Sequence, residues 1–187
     1  MIGRTFLTDQ FLIAMPALDD PNFSRTVTYI CEHNDEGAMG IVINRPLELH
    51  LDEVLRHMDI ELDDASAGRI RIVLGGPVQQ DRGFVVHRSD PRWESTHVIN
   101  DEVGVTTSRD ILAAIARGEG PRQSLIALGY AGWGRGQLEQ ELADNAWLST
   151  PADRRILFEL PFAERWEAAA HLVGVDLRTL SNDVGHA

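Results

Sequence analysis

The chain contains no lysine; all 17 of its basic residues are arginine. That absence excludes a Schiff-base lysine, a Walker-type phosphate lysine and a protein-kinase active site. Cysteine is nearly as scarce. Cys31 stands alone, so an intramolecular disulfide, a CxxC redox pair and a thiolate zinc cage are excluded as well. The seven histidines form no HExxH motif and no pair at helical i, i+4 spacing, and there is no GxSxG elbow. No apolar run approaches the ~20 residues of a spanning helix. No basic start followed by an apolar core and a small-residue cleavage site marks a secretory leader. The expected setting is therefore a reducing cytoplasm, away from membranes. Nothing in the sequence calls for a metal or a cofactor.

Positive charge is also in short supply. Against 17 Arg stand 29 acids, for a net charge of −12 over 187 residues. The deficit is uneven. Residues 1–60 carry four Arg and ten acids, residues 136–187 four Arg and nine acids, but residues 61–135 carry nine Arg and ten acids. Only the middle would tolerate an anion. No segment has the basic surplus that a phosphate backbone requires, and no helix-turn-helix with a basic second helix is visible. Direct nucleic-acid binding is disfavoured.

What is present is the profile of a soluble globular domain, 43% hydrophobic and 25% charged, at a length that suits one domain. Short apolar or β-branched runs predict strands at residues 11–15, 26–31, 40–44, 70–74, 84–87 and 124–128, with residues 26–31 and 40–44 forming an antiparallel hairpin. Apolar spacing predicts helices over 51–58, 107–118, 137–143 and 161–174. Thr107 is the expected cap of the second, with Asp110 completing a capping box. This order is not a regular β-α alternation, so it points to α+β with a mixed or antiparallel sheet.

Short motifs follow one another along the chain: Phe11-Leu12-Ile13-Ala14-Met15-Pro16, Asp20-Pro21-Asn22-Phe23, Cys31-Glu32-His33, Asn44-Arg45-Pro46 and Gly75-Gly76-Pro77-Val78. Ser108-Arg109-Asp110, Gly129-Tyr130-Ala131-Gly132-Trp133 and Arg165-Trp166 complete them. Together they resemble the bacterial YqgE/AlgH family over essentially the whole chain. The resemblance implies a single α+β domain spanning residues 1–187. Its branched sheet would curl into a pseudo-barrel with about four flanking helices. The family is often labelled a transcriptional regulator, a label at odds with the acidic charge unless the role runs through a protein partner.

Three groups of residues are candidates for chemistry. The first is Gly129-Tyr130-Ala131-Gly132-Trp133-Gly134-Arg135-Gly136, between an expected strand and an expected helix. Clustered glycines bring amide N–H groups together at a helix start, Arg135 adds a fixed charge and Trp133 a flat surface, which would suit a small anion. Against this, Glu139 and Glu141 in the same helix would repel a phosphate, and the spacing is not a dinucleotide fingerprint. The alternative is a structural turn with Trp133 exposed. The second is Cys31 with His33, which share a strand face; the imidazole would lower the thiol pKa and make a nucleophile or redox sensor. The alternative is a small buried thiol in a core strand. The third is Arg45 and Arg109, each at an element boundary, suited to gripping a carboxylate or phosphate, or else paired with a nearby acid. Trp166 reads as the core face of its helix, and His186 as part of a tail that packs back or frays.

With no catalytic signature, the reading is a non-catalytic regulatory or adaptor domain that binds a protein partner or a small anionic ligand. The alternative is an enzyme or redox sensor using Cys31 and His33, or a nucleotide site near Arg135.

Overall fold

The computed structural model describes residues 6–89, 93–177 and 179; His186 lies outside them. The elements run, in chain order, β1 (Gln10–Ala14), β2 (Val27–Asn34), β3 (Gly37–Val42), β4 (Pro46–His50), α1 (Leu51–His57) and α2 (Ala65–Gly68). There follow β5 (Arg71–Leu74), β6 (Val78–Arg88), β7 (Thr96–Val98), β8 (Val103–Thr106), α3 (Arg109–Ala116) and β9 (Ser124–Gly134). The chain continues through α4 (Gln137–Ala143), β10 (Trp147–Pro151), α5 (Arg154–Phe158), a 3-10 turn at Phe162–Glu164 and α6 (Arg165–Leu172). The fold is α+β with a curled, branched sheet. Among the described residues there are six α-helices rather than about four, because α2 and α5 are too short to show a periodicity.

The sheet runs β10-β1-β2-β3-β9-β6-β8-β7, with β4 and β5 off this path. All its pairings are antiparallel except β5 with β9. The branch lies on β9. Ala127 pairs with Val73 of β5 and with Phe84 of β6, so these two strands lie on opposite edges of β9. Further along, Ala131 to Gly134 pair with β3 instead. The expected 26–31 and 40–44 hairpin is present as β2 and β3, with a bulge between Ile30 and Glu32.

The apolar alternation along each strand sorts side chains onto two faces. Phe11, Ile13, Val27, Tyr29, Phe84, Val86, Leu125 and Ala127 face the inside of the curl, where Ala169 and Ala170 of α6 and Ile156 and Leu157 of α5 close the core. Ile72, Val85 and Ile126 face outward under α1 and α3. Leu12, Ala14, Ile30, Ala131, Trp133 and Trp147 face outward under Leu138 of α4. Arg165 is buried and has no acidic partner among the described residues. Its guanidinium donates to the carbonyls of Leu160 (3.0 Å) and Ile43 (2.9 Å) and ties α6 to the end of β3, while burial pushes its pKa down to about 10. Trp166, facing the core as expected, donates its indole N–H to the Ala14 carbonyl at 2.9 Å. The cap of α3 is Ser108 rather than Thr107; its hydroxyl donates to Asp110 at 2.5 Å and accepts from the Ser95 N–H at 3.0 Å, not from the first turn of the helix.

Candidate functional site

The glycine-rich segment is not a loop. β9 runs through it to Gly134, and only Arg135 and Gly136 turn the chain into α4. Its glycines answer a steric demand elsewhere. Because β5 and β6 flank opposite edges of β9, the three residues between them, Gly75-Gly76-Pro77, must cross its backbone. They do so at Gly129, which adopts φ 79°. A Cβ on Gly76 would lie 2.1 Å from the Tyr130 carbonyl carbon, one on Gly75 2.4 Å from the Gly129 oxygen, and one on Gly129 2.5 Å from the Gly76 oxygen. Both glycine motifs are thus one strand crossing seen from its two sides. Trp133, expected exposed, is 6% exposed. Its indole N–H and that of Trp147 both donate to Oε1 of Glu141, at 3.0 and 2.9 Å.

The Cys31 thiol shows the opposite of activation. Burial, with the nearby Glu32 charge adding to it, pushes its pKa up to about 12. His33 shares its strand face but is engaged elsewhere. Its Nδ1 accepts from the Leu7 N–H at 2.9 Å, which leaves the ring proton on Nε2 to be donated to Glu139. The three arginines do not converge. Arg45 donates to the carbonyls of Pro21 (2.6 Å) and Ser24 (3.0 Å), clamping the β1–β2 connection. Arg109 reaches the Asp59 carbonyl at 3.4 Å, and Arg135 is exposed on the turn before α4. Among the described residues, no three His, Cys, Asp or Glu side chains cluster as a metal site.

Three of the candidate residues, Cys31, Gly132 and Trp133, lie close together. They belong to an open groove of about 830 Å³ at the unfilled end of the curl. Its apolar lining comes from Met39 on β3, Phe84 on β6, Val105 on β8 and Tyr130 on β9. Phe84 and Tyr130 meet edge to face at 5.7 Å, and the Arg82 guanidinium lies 5.3 Å from the Phe84 ring centre. Glu32, Asn34 and Glu36 line it from the β2–β3 hairpin; Arg82 and His97 line it from β6 and β7, beyond β9. β6 keeps this groove open. Between its pairs Val78 with Tyr130 and Gly83 with Leu128, residues 79–82 loop out opposite Gly129 alone. Sequence reasoning missed Met39, Arg82, Phe84 and His97 as site residues, because the crossing and the bulge that bring them together are tertiary features.

The AlgH-like family profile matches residues 11–178. The chain belongs to this family. An AlgH-like relative, the UPF0301 protein of Thioalkalivibrio sulfidiphilus, is 62% identical over 187 residues, covering all of both chains. The UPF0301 protein of Nitrosococcus oceani is 61% identical over 182 residues, 97% of each. The solution structure of the AlgH protein from Pseudomonas aeruginosa is 54% identical and superposes with a TM-score of 0.81, covering 97% of this chain and 96% of that one. The crystal structure of a Corynebacterium diphtheriae protein, 18% identical, shares the fold at a TM-score of 0.73. No helix of the described residues is long and apolar enough to cross a membrane.

Proposed function

We propose that this AlgH-like protein is a non-catalytic regulatory or adaptor domain that receives a partner protein in the groove of its curled sheet. The observation that carries the reading is the groove itself, apolar within and lined by charged side chains on both sides of β9, the anatomy of a recognition surface. Supporting it, the one thiol is held protonated by burial, and His33 is committed to Leu7 and Glu139. A regulatory role in transcription would run through that partner, since a net charge of −12 repels nucleic acid. A small anion is the second reading, favoured by Arg82 and His97 but opposed by Glu32 and Glu36 in the same groove.

The test is amide NMR of the full chain, titrated separately with a random octapeptide pool, with nucleotides and phosphorylated metabolites, and with duplex DNA at physiological salt. Peptide-induced shifts at Met39, Phe84 and Tyr130 are expected, abolished by Met39→Glu. Groove shifts from the anions alone would establish the second reading, and shifts outside the groove would overturn both.

A further inference from the structure

Gly132 lies on a stretch of β9 that pairs with β3 on one edge and, among the described residues, with no strand on the other. Two bonds fix which way its backbone points. The Val42 N–H donates to Gly75, on the β9 side, while the Ile43 N–H donates back to Val27 of β2. Even-numbered residues of β3 therefore bond toward β9 and odd-numbered ones toward β2. Met39 faces Gly132 in a pair of the non-hydrogen-bonded kind. Both the N–H and the C=O of Gly132 consequently point away from β3, out of the edge that β6 leaves beyond Val78. The flanking positions on that edge are occupied: Tyr130 pairs with Val78, and the Gly134 N–H donates to Gln137 Oε1 at 3.0 Å. Gly132 is exposed and faces the groove. Unlike the crossing glycines it is not demanded by packing, since a Cβ there would meet only the Tyr130 ring edge at 3.5 Å, an ordinary contact.

We propose that an extended, basic segment of a partner protein adds to β9 at Gly132 as a strand, in the place that β6 vacates. This rests on the groove reading above and gives it a mode and a chemistry. An added strand alternates its side chains. One set would pack on Met39, Phe84 and Tyr130. Glu32 and Glu36, exposed and outside any ion pair among the described residues, would meet Lys or Arg of the segment. The net charge of −12 would steer such a segment in.

The experiment uses the 15N-labelled full chain and a pool of acetylated, amidated octapeptides with apolar residues at alternate positions and Lys or Arg between. Binding is expected to move Tyr130 and Phe84 resonances and to slow hydrogen exchange of the Gly132 amide. N-methylation of alternate peptide residues removes the ladder bonds, and the affinity should fall about tenfold or more. Gly132→Pro should do the same; its N–H is outside the ladder, so the strand tolerates it. Paired Glu32→Arg and Glu36→Arg substitutions should shift preference to a pool with Glu in place of Lys and Arg. If N-methylated peptides bind equally well and Gly132 stays unprotected while Tyr130 moves, strand addition is overturned and the groove reading stands. If no peptide moves a groove resonance, both fall.

Discussion

A single carboxylate, Glu141, accepts from the indoles of Trp133 and Trp147 and from the Gln137 side-chain amide at 2.9 Å. Both tryptophans are buried, so removing the acceptor strands two N–H groups away from water. Glu141→Leu should destabilise the protein by about 2–4 kcal/mol, and Glu141→Gln, which keeps one acceptor oxygen, by less. Urea midpoints measure the effect, and both indoles should change in near-ultraviolet circular dichroism. Nothing in the sequence separates Glu141 from the other 28 acids, because its partners sit on two strands that only the fold brings together. Cys31 is the opposite case: its burial was one of two readings available from a β-branched, aromatic strand, and the choice between them needed the environment. With its pKa at about 12, the thiol should resist iodoacetamide at pH 7.5 and react promptly only in denaturant. Rapid alkylation of the folded chain would show that the thiol is activated after all.

At the scale of elements, the strand crossing explains why glycine clusters in two places 54 residues apart, counted from Gly75 to Gly129. The sequence reads the second cluster as a turn before a helix and the first as the end of a strand; the crossing itself is not legible there, because each motif's partner is the other. The same blindness shortened β6 and β9, whose polar and glycine residues are strand only because they pair. Helices α3 and α4, by contrast, begin and end within two residues of where their apolar spacing puts them. The crossing makes a sharp prediction. Gly129→Ala meets both a left-handed φ of 79° and a carbonyl oxygen at 2.5 Å, and Gly76→Ala meets the Tyr130 carbonyl at 2.1 Å. Each should cost more than about 3 kcal/mol or prevent folding. Gly136 shares a left-handed φ of 75° but has nothing within 4 Å of an added Cβ, so Gly136→Ala should cost only about 1–2 kcal/mol. Chemical denaturation of the three variants compares them. Equal losses at Gly129 and Gly136 would mean that φ alone, and not the crossing, sets the demand.

For the molecule as a whole, two effects compete as pH falls. Protonation relieves the self-repulsion of a chain at −12, which favours the folded state. His87 acts the other way. It is fully buried, its Nδ1–H donates to the Arg88 carbonyl at 2.5 Å, and its Nε2 therefore accepts from the Thr106 hydroxyl at 2.6 Å. Burial holds its pKa below the ordinary 6.5, partly offset by the Arg88 carbonyl. With the folded pKa lowered, the unfolded chain binds the extra proton first, so the contribution of His87 is fully present above pH 6.5 and is lost as pH falls below it. Its slope can reach about 1.4 kcal/mol per pH unit. Asp110 enters only lower down; burial raises its pKa, but hydrogen bonds from Ser108 and the Glu94 and Ile111 amides outweigh that and hold it under 3.8. Salt separates the two near-neutral effects, because it screens surface repulsion and leaves the desolvation of a buried ring intact. Stability measured by urea unfolding at about 0.5 M salt, where the Debye length is only about 4 Å, should therefore still fall between pH 7 and pH 5. In His87→Gln the fall should vanish, although the variant starts less stable. A wild-type slope that disappears in salt, or persists unchanged in the variant, would assign the pH dependence to the surface charge instead.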